Sequence, residues 1–324
     1  MTTSTSQGTG HAEGELSGIA SGTGIANGTF GELLQGVLPE NDLDFLVTFP
    51  ITLASVAEFW PDVQRRGVVV HPAGKQKSRR IAERILDVLG HDFGGILELT
   101  SNIPEGKGLA SSSADLVATA RAVGDAFGRH FSEAEIESFI RGIEPSDGVM
   151  YPDIVAFYHR EVRLRHRLGQ LPSLSIVAHD TGGTVDTLQF HKIEKHFTDA
   201  EKQEYGRLLS TLTDAVQAQD LAIIGEVTTR SAEMNLKFLP RDDFNQLRRI
   251  CHEVEGLGLV QAHSGTTLGI LLPEGLNDHA ERVAHITKAC RLLPGTVQLY
   301  RSLGFAGAGA EACTCTSAAL SGKS

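Results

Sequence analysis

The sequence predicts an α+β protein of two units, and three observations carry that prediction. Strand-like and helix-like text comes in blocks, not in strict alternation, which disfavours a doubly wound parallel sheet. A glycine loop at residues 102–115 (NIPEGKGLASSSAD) joins a strand to a helix. A break follows the tetrad Glu144-Pro145-Ser146-Asp147, and a second block of strands and helices begins near Leu174. A chain of 324 residues is long enough for two such units.

Residues 1–23 are rich in Gly, Ser and Thr with almost no large apolar groups, so they cannot bury enough surface to offset ordering and read as a flexible leader. From residue 24 to about 57 the text reads as strands and turns, with Phe45-Leu46-Val47-Thr48-Phe49 before Pro50 and a second strand over 52–59. A basic run at 75–80 leads into a helix over 77–89 carrying Ile81, Ile85 and Val88, and reads as a solvated helix start. Gly95 to Leu99 (GILEL) alternates as a strand. In the helix predicted over 112–127, Leu116, Ala120, Val123 and Phe127 line one face, and Ser112 with Asp115 has the form of a capping box. Ser132 and Glu135 cap a third helix in the same way.

The run 160–168 (REVRLRHRL) alternates Val162, Leu164, His166 and Leu168 against Arg163, Arg165 and Arg167. It predicts a strand with one charged face, whose arginines are either solvated or hold an anionic ligand. In the second unit, LSIVAHD from Leu174 is a short buried strand, followed by helices over 200–219, 221–238 and 242–255. A strand-turn-strand around 263–272, a helix over 278–293 and a strand over 296–300 complete it. From Ala306 the composition collapses to small residues, which predicts a disordered tail over 306–324.

The net charge of −11 argues against a nucleic-acid partner, because phosphate backbones demand clustered Lys and Arg. No apolar run approaches the roughly 20 residues that cross a bilayer, and no basic n-region precedes an apolar core, so no membrane partner is expected and the expected compartment is the cytoplasm. Of the four cysteines, Cys251 and Cys290 fall in helices and Cys313 and Cys315 in the tail. Cys313 and Cys315 have no histidine partner at zinc-site spacing, and the cysteines read as free thiols or incidental residues.

The glycine loop opening into three serines and a helix would leave several backbone N–H groups aimed at one spot, with the positive end of the helix dipole behind them. That is a phosphate site, or else a capped helix with a flexible approach. An ordinary P-loop is excluded, since in Gly106-Lys107-Gly108 the lysine precedes the final glycine. Gly106, Gly108 and Ala110 would let the main chain reach a phosphate without an intervening side chain.

The order Pro104-x-x-x-Gly108-Leu109-Ala110-Ser111-Ser112 resembles the second motif of the GHMP kinases. Gly28-Thr29-Phe30-Gly31-Glu32-Leu33-Leu34-Gln35-Gly36 and Ala262-His263-Ser264-Gly265-Thr266-Thr267-Leu268-Gly269 resemble the first and third motifs, in the right order. The GELLQG and AHSG segments and the EPSD tetrad resemble the L-threonine kinase branch, which makes O-phospho-L-threonine for the cobalamin side chain.

The resemblance implies a two-domain GHMP kinase fold: residues 24–170 as an N-terminal domain related to ribosomal protein S5 domain 2, and 171–305 as a ferredoxin-like C-terminal domain. It implies ATP and Mg²⁺, with Pro104, Glu105, Gly106, Lys107, Gly108, Leu109, Ala110, Ser111, Ser112 and Ser113 around the phosphates. Ser112 and Glu144 are the metal candidates. Asp147 reads either as the catalytic base or as a turn residue before Gly148. Gly31, Glu32, Gln35, His263, Ser264, Gly265 and Thr266 are the acceptor-site candidates, and the segment 225–231 either lines the acceptor pocket or packs in the core with Arg230 exposed. Phe30 stands where threonine kinases commonly carry a small residue, which suggests a reshaped pocket. Many relatives carry a first-motif cation, and this chain has no Lys or Arg from Met1 to Phe49. Lys107 is either its replacement or a solvent-facing side chain.

The expected activity is a kinase for the side-chain hydroxyl of an amino acid, L-threonine first, with homoserine, serine or a modified hydroxy amino acid as alternatives. A nucleotide-binding member without catalysis is the non-enzymatic alternative, and a homodimer is the candidate assembly.

Overall fold

In the computed structural model, residues 20–183, 196–262 and 266–305 are described. β1 (Gly22–Val37) and β2 (Asp44–Asp62) form a long antiparallel pair. β1 begins two residues inside the segment read as a leader, and β2 runs straight through Pro50, where two strands were expected. Pro50 lacks a donor, but its carbonyl still accepts from Leu303 N, so the ladder loses little there.

β3 (Val68–His71) passes through α1 (Gln76–Val88) to β4 (Gly94–Ser101), which lies parallel to β3 and antiparallel to β2. α2 (Ser111–Ala126) and α3 (Glu133–Ile140) follow, the latter with the expected capping box between Ser132 and Glu135. β5 (Ile154–Tyr158) pairs with β2 and with β6 (Arg163–Gly169). β7 (Leu174–Asp180) opens the second half, which continues with α4 (Asp199–Ala218), α5 (Leu221–Asn235) and α6 (Phe244–Glu253). β8 (Gly258–Gln261), β9 (Thr267–Pro273), α7 (His279–Cys290) and β10 (Thr296–Arg301) complete the elements.

The strands make one sheet in the order β10-β7-β9-β8-β1-β2-β4-β3, with β5 and β6 branching from β2. The two halves join through β1 and β8, paired at Glu32 and Gln261. Register shifts along β1 between Asn27 and Leu34, with Gly31 at φ +51°, bend the strand so that it serves β2 and β8 in turn.

α2 is buried on nearly every side, and its small residues Ala114, Ala118, Ala120 and Ala122 let it lie close against β1. A Cβ on Gly22 or Gly24 would run into the α2 backbone, which explains both glycines. A second core packs Phe244, Leu247, Ile250 and Ile286 of α6 and α7 onto Leu259, Leu268 and Ile270. Cys251 and Cys290 are free and buried there, and burial pushes both thiols up to about 11, so neither is a reactive thiolate at neutral pH. Among the described residues no helix is long and apolar enough to cross a membrane.

Candidate active site

The loop before α2 takes left-handed conformations at Gly106 (φ 69°), Gly108 (φ 73°) and Ala110 (φ 60°). Left-handed residues alternating with ordinary ones turn successive N–H groups toward one concave side, the geometry that holds anions. Ala110 is the N-cap of α2 and supplies no side-chain cap, so the first-turn donors and the positive end of the dipole face that concavity.

The expected capping box of Ser112 and Asp115 does not form. Asp115 is buried, accepting from Ser55 Oγ at 2.5 Å and Lys75 Nζ at 2.7 Å, partners remote in sequence that outcompete a local bond. The serines turn instead to the EPSD tetrad. Ser112 Oγ donates to Glu144 Oε1 at 2.6 Å, and Ser113 Oγ donates to Asp147 Oδ2 at 3.2 Å. Consecutive residues of one helix turn therefore anchor two carboxylates beside the glycine loop. Burial, and secondly the charge of Glu144, push Asp147 up to about 6 against the Ser113 hydrogen bond.

The basic run at 75–80 is not simply a solvated helix start. Lys75 Nζ bridges Asp115 and Glu105, and these carboxylates raise its pKa although burial opposes them. Lys77 pairs with Glu144. Lys107 does not face solvent: its ammonium meets Asp180 Oδ2 at 2.6 Å and Gly183 O at 2.6 Å. Asp180 also accepts from Thr266 Oγ1 and Gly182 N, and these partners hold it below the usual carboxylate range although burial alone would raise it. Arg241, fixed on Asp243 at 2.7 Å, donates to Thr266 O. Lys75, Lys77, Asp180 and Arg241 escape a sequence reading; only the basic run gave a signal, and its periodicity pointed to solvent.

The first motif lies against the loop. Thr29 N donates to Leu109 O at 3.3 Å, and a Cβ on Gly28 would stand 2.6 Å from that oxygen. Gly31 packs on the backbone of Gln261 and Ala262, where a Cβ would clash. Glu32 and Gln35 are buried, and Gln35 N donates to Ser231 Oγ at 3.2 Å. Of the loop residues, Leu109 is buried in the core, so only its backbone faces the site, while Glu105 reaches Lys75. Pro104 and Ser111 flank the turn. His263, Ser264 and Gly265 lie outside the described residues, as do Cys313, Cys315 and the tail from 306.

Two further expectations are corrected, and of the two readings left open for 225–231 the packing matches the core one. Phe30 is fully buried and packs on Tyr300 at 5.2 Å, a core position and not a pocket wall. The arginines of β6 have partners within the protein, Arg165 on Glu40, Arg167 on Glu133 and Asp153, and Arg163 over the Tyr158 ring, so no anionic ligand is needed to balance them. The segment 225–231 is helical and its buried face is core: Gly225 lies against Leu257 O, and Thr229 Oγ1 accepts from Leu259 N at 2.9 Å. Arg230 pairs with Glu204 and Glu233.

Comparison with known proteins agrees with this arrangement. Residues 77–161, from α1 through the tetrad, match the GHMP kinases N terminal domain family. The segment from α1 through the tetrad thus resembles the N-terminal domain of the GHMP kinases, within a chain whose overall fold is that of homoserine and mevalonate kinases. It is 26% identical over 261 residues to the L-threonine kinase of Salmonella typhimurium, covering 77% of this chain and 82% of that enzyme. It is 28% identical over 183 residues to the L-threonine kinase of Citrobacter freundii, covering 56% of this chain and 64% of that enzyme, just under two thirds of its length. Among solved structures, homoserine kinase from Cytophaga hutchinsonii superposes with a TM-score of 0.68 at 16% identity, over 88% of this chain and 95% of that one. L. major mevalonate kinase in complex with R-mevalonate gives 0.66 at 16% identity, over 88% and 97%. These likenesses establish the shared fold.

Proposed function

We propose that the protein is an ATP-dependent kinase that phosphorylates the side-chain hydroxyl of a small amino acid, with L-threonine as acceptor and O-phospho-L-threonine as product. The observation that carries this reading is the pair of serine–carboxylate contacts, Ser112 to Glu144 and Ser113 to Asp147, at the edge of the glycine loop. Threonine rests on the similarity to the two L-threonine kinases.

Phosphoryl transfer needs the phosphates held in line with the attacking hydroxyl, their charge offset, and a group that takes the proton. The N–H groups of residues 106–113 and the α2 dipole would hold the β- and γ-phosphates. Ser112 and Glu144 offer hard oxygen donors, and among the described residues no cluster of three or more His, Cys, Asp and Glu makes a protein-only metal cage. That donor set fits Mg²⁺, which takes its remaining ligands from phosphate and water and would supply charge neutralisation there. Lys77 balances Glu144 from the other side.

Asp147 is the base. A carboxyl at about 6 is mostly ionised at neutral pH yet basic enough to accept a proton from an alcohol in the transition state. The acceptor oxygen bonds to the γ-phosphorus, the bond to the β–γ bridging oxygen breaks, ADP leaves, and the hydroxyl proton passes to Asp147. Asp147→Asn keeps the shape but removes the acceptor for that proton. Turnover is expected to fall by about 10²–10⁴-fold, with ATP affinity, followed by calorimetry, within a few fold of wild type. Parallel loss of ATP affinity and turnover would contradict the role.

A further inference from the structure

Gln261, the last residue of β8, is 2% exposed, and both its Nε2 and its Oε1 are buried without a hydrogen-bond partner. A buried amide left in that state destabilises a fold, and a leucine or methionine of similar volume would avoid the cost. The position therefore calls for a ligand that completes it.

Its surroundings say which kind. Gln261 stands directly opposite Glu32 in the antiparallel ladder, so both side chains project to the same face of the sheet. Thr29, three residues before Glu32, donates to Leu109 O of the phosphate loop, and three residues of extended chain span at most about 10 Å. The backbone of Gln261 is thus one inter-strand step of about 5 Å and at most about 10 Å of β1 away from the residue that bonds the loop. On its other side in the same row stands Leu268, buried and apolar, which offers no polar partner.

An amide with one unused donor side and one unused acceptor suits a ligand that presents an acceptor and a donor together. The α-carboxylate and α-ammonium of an amino acid are such a pair: Nε2–H donates to the carboxylate and Oε1 accepts from the ammonium, while the carboxylate of Glu32 on the same face favours the positive end. We propose that Gln261 is an acceptor-binding residue that reads the zwitterionic end of the substrate and so selects amino acids over plain alcohols. This rests on the kinase reading above.

The test compares wild type, Gln261→Leu and Gln261→Met as full-length proteins, with L-threonine and with 1-amino-2-propanol, which keeps the amine and hydroxyl but lacks the carboxylate. Both variants are expected to raise KM for L-threonine about 10–100-fold, to leave KM for ATP unchanged, and to lose the preference for threonine over the amino alcohol. Their Tm is expected to rise by a few degrees, since an unsatisfied amide has been removed. A raised Tm with acceptor KM and preference unchanged would overturn the proposal and leave the kinase reading intact. Should wild type bind ATP but phosphorylate no hydroxy amino acid, the kinase reading itself fails and this proposal falls with it.

Discussion

On the proposed mechanism, Asp147 carries both a cost and a use. Its folded pKa of about 6 lies above the ordinary carboxylate value, so the folded protein binds more protons than the unfolded chain between about pH 4 and 6. Stability contributed by the neutral carboxyl is full below that window and is lost as the pH rises through it. Asp147→Asn is therefore expected to stabilise the protein by about 2–3 kcal/mol above pH 7, with the gain vanishing near pH 4; urea unfolding at the two pH values measures it. On the proposed role as base, the acid limb of kcat/KM is expected near pH 6, which a pH–rate profile measures. A stabilised variant without turnover is the signature of a residue kept for chemistry. At this scale the sequence was legible where contacts are local and misleading where they are not. The EPSD tetrad stood out as composition, but Asp115 was misread as a cap because Ser55 and Lys75, its true partners, lie far away along the chain.

The glycine loop and α2 act as one element. The loop positions the helix start through left-handed residues, and β1 locks it from the side through Thr29. Gly108→Val would force a β-branched residue to φ 73°, a conformation such residues essentially do not adopt. The loop must then rearrange and its N–H groups diverge, while α2, held by burial along its length, persists. ATP affinity is expected to fall by at least tenfold with the far-ultraviolet circular dichroism unchanged; unaltered affinity would remove the loop from the nucleotide site. Elements of this kind were readable, because apolar spacing at α2 and alternation at β4 are local signals. Ala110 was read only as a small residue, since a left-handed alanine has no signature in the text.

In the whole molecule, the two halves are joined by a bent strand, by a hydrophobic core that runs through both, with Phe30 on Tyr300 and Phe45 on Tyr205, and by a few charged contacts. β1 carries the first motif from the glycine loop at Leu109 to the end of β8 at Gln261, and Lys107 reaches across to Asp180, which also holds Thr266 of the third motif. The α+β class and most of the elements followed from the sequence, whereas β3, β5 and the junction did not: a register pair between Glu32 and Gln261 and ion pairs such as Lys107–Asp180 and Lys202–Asp42, between remote segments, leave no periodic trace. Among the described residues the missing first-motif cation finds no single replacement. Lys107 is engaged with Asp180, and the positive charge beside the carboxylates comes from Lys75 and Lys77 of the α1 start.

Incubation of the purified protein with ATP, Mg²⁺ and, separately, L-threonine, L-serine, L-homoserine and mevalonate, with ADP and new phosphomonoesters followed by mass spectrometry, tests the central claim most directly. O-phospho-L-threonine formed in step with ADP, faster than any other product, is the predicted result. Homoserine phosphorylated while threonine is refused would contradict the acceptor, and ATP bound with no phosphomonoester from any hydroxy amino acid would contradict the function.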